Sequence, residues 1–175
     1  MTEPIEPVVV AVEVGRGVEE AFRVFTAEIA AWWPVADHSV EPDRVEAVVL
    51  EAGVGGRLYE RWHDGGQADW GRVLAWEPPA RLLLSWQPNP DRPAPTEVEV
   101  RFLALEPDRT RVELVHRGWE RLGDQGAGSR AGYEAGWPGA LAAFAATAVA
   151  GARAGAVSSR DSNSSTRLRP RPLAE

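Results

Sequence analysis

Glu60 and His116 are the two residues whose types could do chemistry together. Each alternates along a predicted strand with apolar neighbours, Glu60 with Leu58 and Trp62 and His116 with Leu114. An unpaired buried charge is costly, so each group needs a partner or a shifted pKa. A Glu–His pair in an apolar cavity could act as general acid and base. The alternative, which the sequence favours because nothing in it brings the two together, is a pair of separate structural groups bonded to backbone and water.

Tryptophan is the second unusual feature, with eight residues in 175. Trp70, Trp76 and Trp86 fall in "ADWGRVLAWEPPARLLLSW", on two predicted strands around a Pro-Pro turn. Buried indole N–H groups usually have hydrogen-bond partners, so several around one space favour a mainly apolar ligand with polar tips. The alternative is an ordinary core. Since Trp70 and Trp76 share a strand face with Arg72, we expect both to pack outside the cavity.

Other familiar catalytic and metal-binding patterns are missing from the sequence. "WWPVADHS" ends a predicted helix with two tryptophans and a proline, and it could gate a cavity mouth or plug the end of the sheet. His38 and His63 are expected to face solvent and lie in different segments from His116, so we predict no metal site and no cofactor. The chain has no cysteine, no G-x-S-x-G elbow, no P-loop and no dinucleotide fingerprint.

Charge and composition exclude several partners. The net charge is −7, and residues 1–150 carry 14 arginines against 24 acidic residues, which argues against nucleic acid. We see neither a secretory leader nor an apolar run long enough to span a membrane, so we expect a cytoplasmic protein without a membrane partner. All 19 basic residues are arginine, which is typical of a GC-rich bacterial genome.

Alternation and helical periodicity predict the elements that must position these residues. A first strand over residues 5–14 is followed by helices over 15–26 and 27–33. Six further strands with short polar turns are expected at 44–51, 56–63, 69–76, 81–87, 96–103 and 111–117. A long helix over 129–153 carries an apolar face and should kink or break at Pro138.

This order predicts an α+β fold in which a curved seven-stranded antiparallel sheet (β-α-α-β6-α) wraps around the long C-terminal helix. The sheet and the helix each have one apolar face, so they must cover each other. A gap between them is a natural ligand site. We assign residues 1–155 to this domain and 156–175 to a disordered tail rich in Arg, Ser and Pro.

Five stretches of the chain carry a family resemblance. "VEEAFRVFT…WWPVADHS", "EAGVGGRLYERW", "WGRVLAWEPPARLLLSWQ", "PTEVEVRFLALEPDRTRVELVHRGWE" and "YEAGWPGAL" resemble the activator of heat shock protein 90 ATPase homologue-like family, over roughly residues 8–150. That family belongs to the START-like, or SRPBCC, superfamily with the helix-grip fold of the birch pollen allergen. The resemblance implies a ligand cavity between sheet and helix. It implies no transferable catalytic set, because the superfamily shares a cavity rather than reacting groups.

We therefore expect a protein that binds a small apolar or amphipathic molecule, more a binder than an enzyme. One alternative is a chaperone or stress-response interaction protein, and another is a cyclase-, dehydratase- or hydrolase-like enzyme using Glu60 and His116. Homodimerisation through an edge strand is also open. The predicted ligand-binding residues are Trp33, Leu58, Glu60, Trp62, Val73, Leu84, Trp86, Val100, Phe102, Leu114, His116, Trp119, Tyr133 and Trp137.

Overall fold

Seven strands and four α-helices make up the described part of the chain. A computed structural model describes residues 3–38 and 42–161, and it describes side chains over residues 3–36 and 42–151. The strands are β1 (Val8–Val14), β2 (Val45–Leu50), β3 (Arg57–Trp62), β4 (Gln67–Glu77), β5 (Arg81–Trp86), β6 (Thr96–Glu106) and β7 (Arg109–Arg117). The helices are α1 (Val18–Ala27), α2 (Ile29–Trp32), α3 (Val35–His38) and α4 (Gly126–Asp161).

The strands form one antiparallel sheet in the order β1-β7-β6-β5-β4-β3-β2. This sheet curls into a half-barrel around the long C-terminal helix α4, which is the predicted α+β helix-grip fold. Alternation along β6 and β7 is regular, because Val98, Val100, Leu114 and His116 are all buried on the inner face. The strand face assignments there are confirmed.

The helices depart from the sequence expectation in three places. α4 is continuous through Pro138, so a break there is wrong, while a kink at Pro138 stays a prediction. It also begins earlier than predicted and continues to Asp161, into the segment assigned to the tail. Residues 162–175 lie outside the described residues, so the tail remains a prediction. The loop expected after Pro34 contains the short helix α3.

Two β-bulges change which side chains of β4 face inward. Trp70 is an extra residue opposite β3, and Leu74 is an extra residue opposite β5. Trp70 and Val73 are therefore both buried, while Arg72 and Leu74 are exposed. The expectation that Trp70 packs outside with Arg72 is wrong, because strict alternation fails at these bulges.

One end of the hollow inside the sheet is filled by the protein's own aromatic side chains. Phe22 and Phe25 of α1 each contact Phe102 of β6, with ring centroids 5.1 and 5.6 Å apart. Phe144 of α4 lies 5.2 Å from Phe25 and 5.5 Å from Trp32. Trp32 also donates its indole N–H to backbone carbonyls of α1 at 3.1 and 3.2 Å. Any space for a ligand must therefore lie towards the other end.

Among the described residues, no helix has the combination of length and apolar character that crossing a membrane would need.

Candidate functional site

A cavity of about 550 Å³ lies between the inner face of the sheet, α4 and the loop that joins β5 to β6. This volume is within the range of small-molecule sites, roughly 300–1,000 Å³. Asn89 and Pro90 of the loop and Gly132 of α4 are exposed and mark its mouth. Its lining residues are Trp33, Trp70, Trp86, Pro88, Asn89, Pro90, Arg92, Ser129, Gly132, Tyr133, Gly136, Trp137 and Ala140.

Tryptophans from four different parts of the fold form the inner wall of this cavity. Trp33 follows α2, where Pro34 stops the helix, while Trp70 comes from the first bulge of β4. Trp86 ends β5 and Trp137 lies on α4. Their ring centroids are 5.0 Å apart for Trp33–Trp70, 5.8 Å for Trp70–Trp86 and 5.2 Å for Trp86–Trp137. The wall is thus a continuous surface of indole rings.

A stripe of small residues on α4 leaves room in front of that wall. Ser129, Gly132, Gly136 and Ala140 follow one another at helical spacing and all line the cavity. A Cβ atom added at Gly132 would meet nothing within 4 Å. The cavity therefore exists because this side of the helix carries almost no side-chain volume.

His116 lies behind the tryptophan wall and holds it through a directional chain of hydrogen bonds. The Trp137 indole donates from Nε1 to His116 Nδ1 at 3.0 Å. Since an indole N–H can only donate, the proton of the imidazole is on Nε2, which lies 2.7 Å from Thr96 Oγ1. The Thr96 hydroxyl donates onward to the Trp86 carbonyl at 3.2 Å, and Trp119 donates to the His116 carbonyl at 3.0 Å.

This arrangement keeps the imidazole neutral. His116 has no exposed surface, and burial lowers its pKa to about 3. Protonation would also place an N–H on Nδ1 against the N–H of Trp137, which faces the same nitrogen. His116 is therefore an uncharged structural link at neutral pH.

The pair of Glu60 and His116, which the sequence raised as the less favoured of two possibilities, is not assembled. Both ring nitrogens of His116 are hydrogen-bonded within the network just described, and three strands separate β3 from β7 in the sheet. Glu60 is fully buried and accepts a hydrogen bond from Trp62 Nε1 at 3.0 Å. The geometry thus corrects the acid–base hypothesis, because the two groups belong to different parts of the core.

Tyr133 and Arg92 are two of the polar residues that line the cavity and can donate hydrogen bonds. Trp86 Nε1 donates to the Tyr133 hydroxyl at 3.0 Å, which leaves the hydroxyl proton of Tyr133 for another acceptor. Burial raises the pKa of Tyr133, against smaller opposing effects of the Trp86 hydrogen bond and the Arg92 charge, so the phenol stays protonated. Arg92 lines the main cavity and a smaller adjoining one of about 90 Å³.

The structure brings only part of the predicted ligand-binding set to a cavity. Trp33, Trp86, Tyr133 and Trp137 line the main cavity, and Trp119 lines the adjoining one. The remaining predicted residues do not line the cavity. Helices α1 and α2 and neighbouring core side chains cover most of them, while the Trp62 ring packs under Arg44. These residues are Leu58, Glu60, Trp62, Val73, Leu84, Val100, Phe102, Leu114 and His116.

Sequence reasoning missed the loop residues, the small residues of α4 and Trp70. A search for apolar faces passes over Pro88, Pro90, Gly132 and Gly136, since small residues and prolines look like turn or spacer residues. The available signal was the four-residue spacing of small residues beside the Tyr133 face.

The histidines and acidic residues make no metal site in the described part of the chain. No group of three or more His, Cys, Asp or Glu side chains there could hold an ion. His63 is exposed, as expected. The side chain of His38 and residue Ser39, which belong to the predicted gating segment, lie outside what is described.

Comparison with known proteins shows which family this chain belongs to. The family model described as "Activator of Hsp90 ATPase homolog 1-like protein" matches residues 17–148. The chain belongs to this family. The match runs from just before α1 into α4 and so includes every strand except β1. The resemblance drawn from the sequence motifs is therefore confirmed.

Several solved structures share this fold. The anthrahydroquino-γ-pyrone synthase Txn09, solved in complex with SUM, is 38% identical over 83% of this chain and 98% of its own, with a TM-score of 0.56. The self-sacrificing resistance protein CalC from Micromonospora echinospora is 24% identical (82% and 94% covered, TM-score 0.58). The Aha1 dimer from Colwellia psychrerythraea is 16% identical (81% and 94% covered, TM-score 0.57). A search of curated proteins found no match.

Proposed function

We propose that this protein binds a flat, fused-ring aromatic small molecule in the tryptophan-lined cavity. The observation that carries the proposal is the wall of four contacting indoles facing a stripe of small residues on α4. Such a slot favours planar rings, which can stack on or lie edge-on to indole faces, over bulky aliphatic molecules.

Txn09 supports the same ligand class. Its name describes a product with an anthrahydroquinone and a γ-pyrone, and the two chains are 38% identical. The match covers 98% of that synthase and 83% of this chain, so the similarity extends over most of both chains.

A second candidate is ring closure on such a molecule, which the relation to a synthase favours. Glu60 and His116 do not face the cavity, so any proton transfer would have to use other groups, of which the Tyr133 hydroxyl faces it. An aryl ynone with a neighbouring phenol is a suitable probe, because addition of the phenol oxygen across the alkyne gives a γ-pyrone of unchanged mass. This activity would be identified if the probe changed its absorbance spectrum at unchanged mass and did so at a higher rate with the protein than without it.

The chaperone-interaction alternative has less support from the surface. A docking role of that kind would be favoured by a large exposed aromatic patch. The large hydrophobic side chains that the described residues expose are instead aliphatic: Val9, Val54, Leu74, Leu103 and Leu105.

A substitution that fills the cavity tests the binding proposal. In Gly132→Leu the new side chain would start from a position with open space around it and occupy the mouth of the cavity. We expect 1,8-dihydroxyanthraquinone to bind the wild-type protein and quench its tryptophan fluorescence. In Gly132→Leu its affinity should fall at least about tenfold, which corresponds to 1.4 kcal/mol.

Gly139→Leu is the matched control. Gly139 is also on α4 with nothing within 4 Å of an added Cβ, but it is not part of the cavity lining. Both variants make the same gain in helix propensity, so any difference in affinity reports the cavity. Equal affinity of the two variants, or equally tight binding of a saturated polycyclic probe such as cholic acid, would contradict the proposal.

A further inference from the structure

Arg92 lies at the mouth of the cavity and has no partner for its side chain among the residues with described side chains. Its guanidinium makes no hydrogen bond or ion pair with any residue described over 3–36 and 42–151. Every other arginine with a described side chain makes at least one such contact. In a chain with a net charge of −7, pairing is the general pattern and Arg92 departs from it.

The position of Arg92 is fixed from the backbone side. Gln87 donates from Nε2 to the Arg92 carbonyl at 2.9 Å, which ties the β5–β6 loop back to the end of β5. Arg92 is half-buried and lines both the main cavity and the smaller one next to it. A guanidinium held in a partly dry site interacts more strongly with an anion than one in open solvent.

Tyr133 offers a second donor next to it. Its hydroxyl oxygen accepts from Trp86 Nε1 at 3.0 Å, so its own proton is directed elsewhere, and Tyr133 lines the same two cavities as Arg92. The charge of Arg92 is close enough to affect Tyr133.

We infer that Arg92 and Tyr133 are the anion-recognition end of the cavity, so that the ligand is a planar aromatic molecule bearing a carboxylate or an ionised phenol. This inference rests on the proposed function and adds the charge of the ligand to its shape. The rings lie against the tryptophan wall, while the anionic oxygen meets two donors at the mouth. Arg92 thereby selects acidic aromatics over neutral ones of the same outline.

A pair of probes that differ only in charge tests this inference. We expect the wild-type protein at pH 7.5 to bind anthraquinone-2-carboxylate about tenfold more tightly than anthraquinone-2-carboxamide, since a hydrogen bond to a charged group is worth more than a neutral one. This preference should shrink as sodium chloride is raised, because salt screens a partly exposed charge pair. In Arg92→Gln the preference should disappear while the carboxamide still binds. Tyr133→Phe should weaken binding of the carboxylate and keep the salt dependence.

Arg109→Gln is the matched control, because it removes the same charge from the start of β7, where Arg109 pairs with Glu106 at 3.6 Å. It should keep the wild-type preference. Equal binding of both probes to the wild-type protein, or loss of the preference in both arginine variants, would overturn the inference and leave the aromatic site standing. Failure of both probes to bind would overturn the proposed function as well.

Discussion

At the residue scale, His116 illustrates how a side chain that suggests catalysis can be structural. Its two ring nitrogens have opposite roles, one accepting from Trp137 and the other facing Thr96 as donor. A neutral imidazole accepts at one ring nitrogen and donates from the other, so it can link an indole N–H to a hydroxyl without carrying charge. The link requires that His116 stay unprotonated, and this makes the stability of the protein sensitive to pH.

The free energy of unfolding should fall as the pH drops below 6.5. Burial lowers the pKa of His116 from 6.5 to about 3 in the folded protein, so below pH 6.5 the unfolded chain takes up a proton that the folded protein refuses. Stability is then lost at about 1.4 kcal/mol per pH unit until the folded pKa is reached. Between pH 7 and 5 the expected loss is about 2 kcal/mol, measured by urea unfolding.

His116→Gln separates this contribution from that of the carboxylates, which titrate mostly below pH 5. Glutamine can accept from Trp137 and donate to Thr96 but does not titrate. The variant is expected to be less stable at pH 7 and to lose little further stability between pH 7 and 5. If the free energy of unfolding of the variant fell as steeply between pH 7 and 5 as that of the wild-type protein, His116 would not be the titrating group.

At the element scale, β4 determines where the cavity wall begins, and it is the strand that sequence reasoning described least well. Alternation works for β6 and β7, because their ladders are regular across the buried positions and charged residues mark the outer face. In β4 the two bulges change which side chains point to the inner face of the sheet. Trp70 therefore joins the wall, although strict alternation would place it on the same face as Arg72. A bulge is set by how neighbouring strands meet, which a single strand's pattern does not reveal.

Gly71, next to the first bulge of β4, allows β5 to approach β4 closely. A Cβ atom at this position would lie 1.8 Å from the Ser85 carbonyl oxygen of β5, a contact with backbone that cannot move aside cheaply. Gly71→Ala should therefore lower the free energy of unfolding by at least about 2 kcal/mol. The substitution should also weaken binding of an aromatic probe, because Trp70, the residue before Gly71, would shift with the backbone.

Gly128→Ala serves as the control for Gly71→Ala, because a Cβ there meets nothing within 4 Å. It should be neutral or stabilising by up to about 1 kcal/mol, as expected for alanine in a helix. If thermal unfolding places both variants within experimental error of each other, the close approach of β5 to Gly71 does not limit this strand.

At the scale of the whole molecule, the hollow of the sheet has a packed end and an open end. The fold, the strand order and the long final helix could be predicted from sequence, because apolar periodicity and turn residues encode them directly. The split of this hollow into a filled end and an open end could not be predicted, because it depends on how far α1 and α2 extend into it. Phe102 and Leu114 were assigned to the cavity from their strand faces, but both are buried in the core, and Phe102 packs against Phe22 and Phe25 in the filled end.

The hydrogen-bond chain through His116 affects how a ligand would bind in the cavity. It joins the ends of β5 and β6 to the strand β7 and to α4, so the positions of Trp86 and Trp137 in the indole wall are set before anything binds. Little conformational entropy remains to be lost on complex formation, and the rings need not rearrange. We therefore expect the ligand to bind a preorganised wall, with any conformational change on binding confined to the proline-rich β5–β6 loop at the entrance.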